Sequence, residues 1–388
     1  MAVNKNVPVL SICIPTFQRK NALEQTLHGL VESENLAAGK LEICISDNGS
    51  TDGTFEMLKR YEKKYKFIHI RKNPKNLGFD SNLLSSLKMA RGRYCWGIGD
   101  DDTVVPENIQ KFVRLLDKKS SFMVGITGAM AKQKDLDMII RKFPKQEYSS
   151  KEFIDIFISV INSSSRFIKS NQDIPILGFF PCYFFSNGLL KHSFRALEGK
   201  RYGWYHLALF FYGLSNFEGS ILVNKEPPIL HGQSIEHKKD NVLLPGDEFI
   251  LFVDRRADTL SGLNLDSKLR ESFYRWLNIR GNYVYVKSLV QLVLLSQMLG
   301  KSDYDTLKNK VYGCERRLKM PFWIYLAVLV FKTMEKSSIF RKILAILYSK
   351  LHSAYARQID GYLKGQLHSN DDREGKSSFL KSKNSGKK

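Results

Sequence analysis

The chain has few cysteines, no long apolar run and no sign of an export leader. Only 5 of its 388 residues are cysteines, and they stand far apart without a CxxC pair, at Cys13, Cys44, Cys95, Cys182 and Cys314. This spacing argues against a disulfide framework or a zinc site, so we expect reduced, buried thiols. The apolar run at residues 320–331 is shorter than the about 20 residues that a membrane-spanning helix needs. Because no basic-then-apolar leader precedes the first strand, we expect a cytoplasmic protein.

Acidic residues are scarce relative to basic ones. The chain carries 39 Asp and Glu against 60 Lys and Arg, a net charge of +21. Residues 301–388 alone hold 19 Lys and Arg against 8 Asp and Glu. A basic protein attracts polyanions such as nucleic acid, nucleotide phosphates or an anionic membrane. A basic nucleic-acid-binding protein therefore stays open as an alternative, although the charge concentrates near the end and the predicted ligand site is acidic.

Apolar strands alternate with helices through the first third of the chain. The sequence predicts strands within 7–17, 41–54, 67–72, 94–99 and 122–130, and helices over 21–34, 54–65, 78–92 and 105–119. This alternation is typical of a doubly wound α/β fold with a mostly parallel sheet. Such sheets bind ligands at the carboxyl ends of their strands. The polar segments PTFQRK, SDNGSTDG and GDDD each follow a predicted strand, so we expect them to converge there.

Three consecutive carboxylates, Asp100, Asp101 and Asp102, follow the apolar run YCWGIG. Two charges about 4 Å apart repel by about 1 kcal/mol in water and by several times that in a partly buried cleft. A divalent cation removes this repulsion, and Mg²⁺ or Mn²⁺ prefers carboxylate and phosphate oxygens. The alternatives are a solvated acidic turn, or Asp102 as the N-cap of the following helix.

Three segments, taken in their order along the chain, together resemble family 2 glycosyltransferases over about residues 8–125. They read LSICIPTFQRKNALEQTL, EICISDNGSTDGT and NPKNLGFDSNLLSSLKMARGRYCWGIGDDDTVVP. The resemblance implies the nucleotide-diphospho-sugar transferase (GT-A) fold. The segment RYGWYHLALFFYG further resembles abequosyltransferase-like members, which build bacterial surface polysaccharides.

The resemblance implies a nucleotide-binding set and a metal pair. The nucleotide-binding residues are Pro15, Thr16, Phe17, Arg19, Asp47, Asn48, Ser50, Asn76, Gly78 and Asp100. Asp101 and Asp102 match the metal motif and would hold Mg²⁺ or Mn²⁺. The usual family form is Asp-x-Asp-Asp, and Gly99 stands here in place of its first Asp.

A general base must deprotonate the acceptor hydroxyl. The family usually takes this base from a Glu-Asp pair, which is absent from the corresponding segment ALEGKRYGWYHLALFF. His206 and Glu198 are the two titratable candidates there. Because of the missing pair and of Gly99, a catalytically degenerate family member stays open as an alternative. A nucleotidylyltransferase on the same scaffold is disfavoured, since PTFQRKN lacks glycine.

The expected reaction moves a sugar from a UDP-, dTDP- or CDP-sugar to a hydroxyl of a lipid-linked or other oligosaccharide, with inversion by analogy. We expect a catalytic domain over 1–255, a helical region over 256–364 and a disordered basic tail over 365–388. Aromatic and basic residues in 321–350 fit either a helix on a membrane surface or core helices. We expect peripheral attachment to the inner face of the cytoplasmic membrane and no nucleic-acid partner.

Overall fold

The computed structural model describes the first half of the chain most fully. Described are residues 7–119, 124–127, 143–164, 180–197, 204–217, 219–230, 261–295 and 301–315, with single positions between 257 and 342. The chain divides into two compact units, residues 1–237 with 248–284, and residues 238–247 with 285–388. The predicted boundary at residue 255 stays a prediction, and the predicted tail over 365–388 lies outside the described residues.

The first unit begins with alternating strands and helices, as the sequence predicts. Its elements are β1 (Leu10–Thr16), α1 (Lys20–Ala37), β2 (Leu41–Asp47), α2 (Thr54–Lys64), β3 (Ile68–Lys72), α3 (Phe79–Leu87), β4 (Tyr94–Gly97), β5 (Thr103–Val104) and α4 (Pro106–Asp117). Every residue of β1, β2 and β4 is buried, which explains why these strands read as continuous apolar runs. Helix α1 packs on α4, and α3 packs on β1 and β2.

The later elements complete the sheet. They are β6 (Val124–Thr127), β7 (Glu147–Ser149), α5 (Ser150–Ser164), a 3₁₀ turn (Phe180–Cys182), β8 (Tyr183–Ser186), α6 (Asn187–Ala196), α7 (Tyr205–Asn216), β9 (Ser220–Asn224) and β10 (Ile229–Leu230). The strand order is β3-β2-β1-β4-β8-β6-β9-β7, and β10 pairs with β5 in a separate two-stranded sheet.

Parallel pairing dominates the half of the sheet that precedes β5. Strand β1 pairs in parallel with β2 and with β4, and β2 pairs in parallel with β3. The register places Thr16 beside Asp47 and Asp47 beside Lys72. The carboxyl ends of these strands therefore lie along one edge of the sheet, where ligands bind in α/β folds.

Strand β8 is antiparallel to both of its neighbours, β4 and β6. Aromatic packing supports this insertion. The Trp96 indole donates to the carbonyl oxygen of Pro181 at 2.7 Å, and the Phe112 ring stands edge-on to the rings of Trp96 and Phe184. Aromatic side chains bury a large area and favour edge-to-face contacts, so this cluster joins β4, α4 and β8. Cys13, Cys44, Cys95 and Cys182 are buried free thiols in the same unit.

Two long helices follow the strands in the sequence. Helix α8 (Ser267–Leu295) contains the boundary between the units, and α9 (Lys301–Glu315) lies in the second. In the second unit the Lys332 ammonium stands 4.6 Å from the Tyr312 ring centroid. Leu326, Leu329 and Ile339 are exposed there. Within the described part of the chain, no helix combines the length and the apolarity that crossing a bilayer requires.

Candidate functional site

A cavity of about 340 Å³ opens at the carboxyl edge of the parallel strands. Its lining comes from the end of β1, the loops that follow β1, β2, β3 and β4, the first turns of α3, and the 3₁₀ turn. The lining residues are Pro15, Thr16, Phe17, Arg19, Asn48, Asn76, Phe79, Asn82, Gly99, Asp100, Asp101, Asp102 and Phe180. The predicted nucleotide-binding residues Asp47, Ser50 and Gly78 are absent from this lining.

The three consecutive carboxylates form the acidic side of the cavity. Asp100 and Asp101 are each 8% exposed and Asp102 is 1% exposed. The Thr16 hydroxyl donates to Asp100 Oδ2 at 2.8 Å. Arg19 Nη1 donates to Asp101 Oδ2 at 3.0 Å and lies 3.7 Å from Asp100 Oδ1. The carboxylates are thus nearly excluded from water, with Arg19 as a common cationic neighbour of two of them.

Crowding of the carboxylates changes the acidity of Asp100. Burial, the largest effect, and the charges of Asp101 and Asp102 raise the pKa of its carboxyl, whereas the Arg19 charge and the Thr16 hydrogen bond lower it. The net result is a pKa of about 7. Desolvation disfavours the charged form of a carboxyl, and like charges nearby do the same. Both effects favour the neutral form of the Asp100 carboxyl.

Gly99 shapes the acidic turn. Its N–H donates to Asp102 Oδ2 at 2.7 Å. A Cβ at position 99 would lie 3.0 Å from Asp101 Oδ1 and 3.0 Å from Asp102 Oδ2. The Thr26 hydroxyl lies within hydrogen-bond distance of two carbonyl oxygens of the turn, 3.1 Å from that of Asp100 and 2.9 Å from that of Asp102. A side chain at position 99 would require both carboxylates to shift by a few tenths of an ångström.

The donor set suits a cation that the substrate helps to bind. Among the residues that the structure describes, no three His, Cys, Asp or Glu side chains are arranged to hold a metal ion by themselves. Mg²⁺, however, usually takes one or two protein carboxylates and completes its shell with water and substrate phosphates. Asp101 and Asp102 meet that requirement, because both line the cavity and carry oxygen ligands.

Asp47 and Ser50 lie behind the lining. Asp47 is fully buried, and its Oδ1 accepts the Ser50 N–H at 3.1 Å. Its Oδ2 has no hydrogen-bond partner among the described residues. Ser50 Oγ in turn accepts the Gln18 N–H at 2.9 Å. These contacts join the loops after β1 and β2, and the prediction that Asp47 and Ser50 contact the nucleotide stays a prediction.

The segment around Gly78 contributes Asn76 and Phe79 to the cavity lining. Gly78 has φ +85°, a conformation that favours glycine, and its N–H donates to Asn76 Oδ1 at 2.9 Å. The next residue, Phe79, is 51% exposed, and its ring stands 5.2 Å from the Phe180 ring. An aromatic pair thus lines the same cavity as the acidic turn. Sequence reasoning missed both rings, although the aromatic-rich stretch that contains Phe180 gave a signal.

His206, one of the two candidates for the general base, is absent from the cavity lining. His206 is 4% exposed in the first turn of α7. Aromatic rings surround it, with the ring centroids of Trp204, Tyr183 and Phe180 at 5.3, 5.9 and 6.2 Å. Phe180 therefore touches both the cavity and His206. Glu198 lies outside the described residues. The identity of the base stays a prediction.

A second cavity, of about 430 Å³, lies between α1 and α2. It is the larger of the two, and none of the predicted site residues line it. We assign the ligand site to the smaller cavity. Of the two cavities, only this one lies where several strands end and contains buried carboxylates close together.

Comparison with known proteins identifies the domain. Residues 11–175 match the family model "Glycosyl transferase family 2", which confirms the resemblance read from the sequence. Abequosyltransferase RfbV of Salmonella typhimurium is 42% identical over 113 residues, 29% of this chain and 34% of that protein. The putative teichuronic acid biosynthesis glycosyltransferase TuaG of Bacillus subtilis is 27% identical over 113 residues, 29% of this chain and 44% of that protein. The chain thus matches less than half the length of either relative.

The crystal structure of S. aureus TarS residues 1–349 in complex with UDP-GlcNAc shares the fold. It superposes with a TM-score of 0.53 at 14% sequence identity and covers 92% of each chain. At this identity the likeness concerns the fold alone. The predicted GT-A fold, an α/β fold with a mostly parallel central sheet, is confirmed.

Proposed function

Because residues 11–175 match the family model for family 2 glycosyltransferases, we propose that the protein transfers a sugar from a nucleotide-diphosphate donor to a hydroxyl of an oligosaccharide in bacterial surface-polysaccharide synthesis. One observation carries this proposal: three nearly buried carboxylates and Arg19 converge in the cavity at the carboxyl edge of the sheet. The relatives that act in abequose transfer and teichuronic acid synthesis support the substrate class.

The cavity offers separate surfaces for the parts of such a donor. Asn48, Asn76 and Asn82 supply amide groups along one side, where a base or ribose finds hydrogen-bond partners. Phe17 is 37% exposed at the rim and offers a ring face for stacking. The Phe79–Phe180 pair opposite gives a sugar ring an apolar wall. We infer that a UDP-, dTDP- or CDP-sugar binds across these surfaces.

Asp101 and Asp102 would hold a Mg²⁺ or Mn²⁺ ion. When bound, that ion supplies positive charge against the diphosphate that departs from the sugar. Arg19 contacts Asp101 and lies near Asp100, so it is placed to turn from a carboxylate to an incoming phosphate. Thr16 and Thr26 hold the acidic turn in place through hydrogen bonds.

The acceptor and the cellular location belong to the same proposal. We infer a lipid-linked or oligosaccharide acceptor, inversion at the transferred carbon, and His206 or Glu198 as its base. A peripheral position on the inner face of the cytoplasmic membrane would bring the enzyme to such an acceptor. The exposed apolar residues Leu326, Leu329 and Ile339 and the excess of basic residues after position 300 favour this location.

Calorimetric titration with UDP, dTDP and CDP, each with and without Mn²⁺, tests the proposal. We expect one nucleotide to bind in a Mn²⁺-dependent manner, and Asp101→Asn to weaken that binding at least about 100-fold. Asp117→Asn is the matched control: it removes a carboxylate that is ion-paired with Lys40 at the protein surface, outside the cavity.

The outcomes separate the readings of the chain. Binding that Asp101→Asn abolishes and Asp117→Asn leaves intact supports the transferase. Absence of binding to all three nucleotides, under either metal condition, rejects the proposal and favours a degenerate domain. In that case salt-sensitive binding of a DNA or RNA oligonucleotide would identify the basic nucleic-acid-binding alternative.

A further inference from the structure

We propose that Asn73, a buried residue outside the cavity, is a positioning residue that orients the Asn76 side chain toward the donor nucleotide. The inference rests on the proposed function, because it names how that site is preorganised. Asn73 follows β3 directly and is 2% exposed. It is absent from the cavity lining.

Asn73 uses both hydrogens of its amide within a buried network. Its Nδ2 donates to Asn82 Oδ1 at 2.9 Å and to Asn48 Oδ1 at 3.2 Å. Its main-chain N–H donates to the carbonyl oxygen of Asp47 at 2.8 Å, which fixes the residue against the end of β2. Buried amides that satisfy one another in this way adopt a single arrangement.

Asn73 orients the two recipients, together with the Leu77 N–H, which also donates to Asn48 Oδ1 at 3.0 Å. Since each presents its oxygen to Asn73, its NH₂ group must point away. Asn82 Nδ2 donates to the carbonyl oxygen of Thr16 at 3.1 Å, and Asn48 Nδ2 donates to Asn76 Oδ1 at 2.8 Å. Reversing the amide of Asn48 would bring its NH₂ group against the Asn73 donor and break both bonds.

The chain of donors ends at Asn76, which lines the cavity. Its Oδ1 accepts from Asn48 and also from the Gly78 N–H at 2.9 Å. The segment is held close by its backbone as well: a Cβ on Gly49 would lie only 3.1 Å from Lys75 Cα. With its oxygen occupied twice, Asn76 has Nδ2 left as a donor for the cavity. Phosphate and ribose oxygens are acceptors of that kind.

A double-mutant cycle in nucleotide affinity tests this coupling. UDP, dTDP and CDP with Mn²⁺ are the probes, and the one that wild type binds is titrated into each variant. Asn73→Asp removes both donors and sets a carboxylate against two amide oxygens, so we expect its Kd to rise about tenfold. Asn76→Ala should raise Kd by the same factor. The double variant should bind as Asn76→Ala does, because the Asn73 effect acts through the group already removed.

Asn224→Asp is the matched control for lost stability. Asn224 is 3% exposed, and its Nδ2 likewise donates twice, to Thr127 Oγ1 at 3.0 Å and to the carbonyl oxygen of Glu226 at 2.7 Å. It lies outside the cavity lining. We expect this variant to lower the melting temperature about as much as Asn73→Asp while leaving Kd unchanged.

Two results would overturn the inference while the proposed function survives: an unchanged Kd in Asn73→Asp, or losses from Asn73→Asp and Asn76→Ala that simply multiply. If wild type binds none of the three nucleotides, the proposed function itself fails and the inference falls with it. Should Asn73→Asp not fold, Asn73→Ser keeps one donor and enters the same cycle. As a single variant, Asn73→Ser should have a higher Kd than wild type. Added to Asn76→Ala, it should leave the Kd of Asn76→Ala unchanged.

Discussion

The two ends of the same parallel strands hold buried carboxylates in opposite electrostatic settings. At the amino end Glu42, in β2, is 1% exposed and accepts from Ser11 Oγ at 2.6 Å and from the N–H and Nε of Arg91 at 2.8 and 2.6 Å. Burial alone raises the pKa of the Glu42 carboxyl, but these hydrogen bonds outweigh it and leave the pKa below its ordinary value.

At the carboxyl end Asp100 has the reverse balance. Burial and two neighbouring carboxylates exceed the compensation from Arg19 and Thr16, and the pKa rises to about 7. We call the Glu42 end the compensated edge, because its hydrogen bonds outweigh burial, and the Asp100 end the undercompensated edge, because burial outweighs them there. Strongly shifted pKa values cluster at functional sites, so this contrast supports the proposal that the ligand binds at the carboxyl edge.

Breaking the compensated edge should have the largest effect. Glu42→Gln removes the charge that Arg91 and Ser11 share, and the remaining amide cannot accept all of their hydrogen bonds. We expect the free energy of unfolding, measured by urea denaturation, to fall by about 3 kcal/mol. A loss below about 1 kcal/mol would show that the exposed Arg91 side chain contributes little and would weaken the contrast.

Breaking the undercompensated edge should affect binding and leave folding nearly intact. Asp101→Asn loses the ion pair with Arg19 but also relieves repulsion with Asp100. We expect its free energy of unfolding to change by less than about 1 kcal/mol, while the loss of Mn²⁺-dependent nucleotide affinity corresponds to about 2.7 kcal/mol. Urea denaturation and calorimetry on the same preparation provide both values. A destabilisation equal to that of Glu42→Gln would assign Asp101 to structure.

Glu34 offers an intermediate case, a buried carboxyl with backbone donors and no cation among its described contacts. It is 7% exposed and accepts the Leu41 N–H at 2.9 Å. Burial raises its pKa from 4.5 to about 7, against the hydrogen bonds from the main chain. The folded state therefore binds more protons than the unfolded state between these values, and this contribution to stability is lost as the pH rises through them.

We expect Glu34→Gln to remove that pH dependence. The amide keeps an acceptor for Leu41 without titrating. The stability of the variant relative to wild type should therefore be about 3 kcal/mol greater at pH 8 than at pH 4. Glu32→Gln, an exposed neighbour on α1, serves as the control. Parallel stability profiles for wild type and Glu34→Gln between pH 4 and pH 8 would contradict the prediction.

The local sequence pattern predicted the parallel strands β1–β4 and the run of three carboxylates. It predicted much less of the later strands and of the side-chain contacts. The strands β1, β2 and β4 are apolar runs that end in polar segments, and this signal lies within each segment. The insertion of β8 between β4 and β6 depends on the Trp96–Phe112–Phe184 packing, which joins residues far apart in sequence. The asparagine network likewise links the end of β1, the loops after β2 and β3, and α3 through side-chain orientation, and no spacing rule encodes that.

An exposed ion pair completes the comparison with the smallest expected effect. Lys111 Nζ lies 3.0 Å from Glu226 Oε2, and the two side chains are 56% and 54% exposed. We expect the coupling energy between Lys111→Ala and Glu226→Ala in a double-mutant cycle to be below about 0.5 kcal/mol. It should shrink further in 1 M NaCl, where screening acts within about 3 Å. The loss from Glu42→Gln should resist the same salt, because its carboxylate is shielded from solvent. If salt reduced both alike, the amino edge would owe its stability to screened surface charge, and burial would no longer separate the two ends of the sheet.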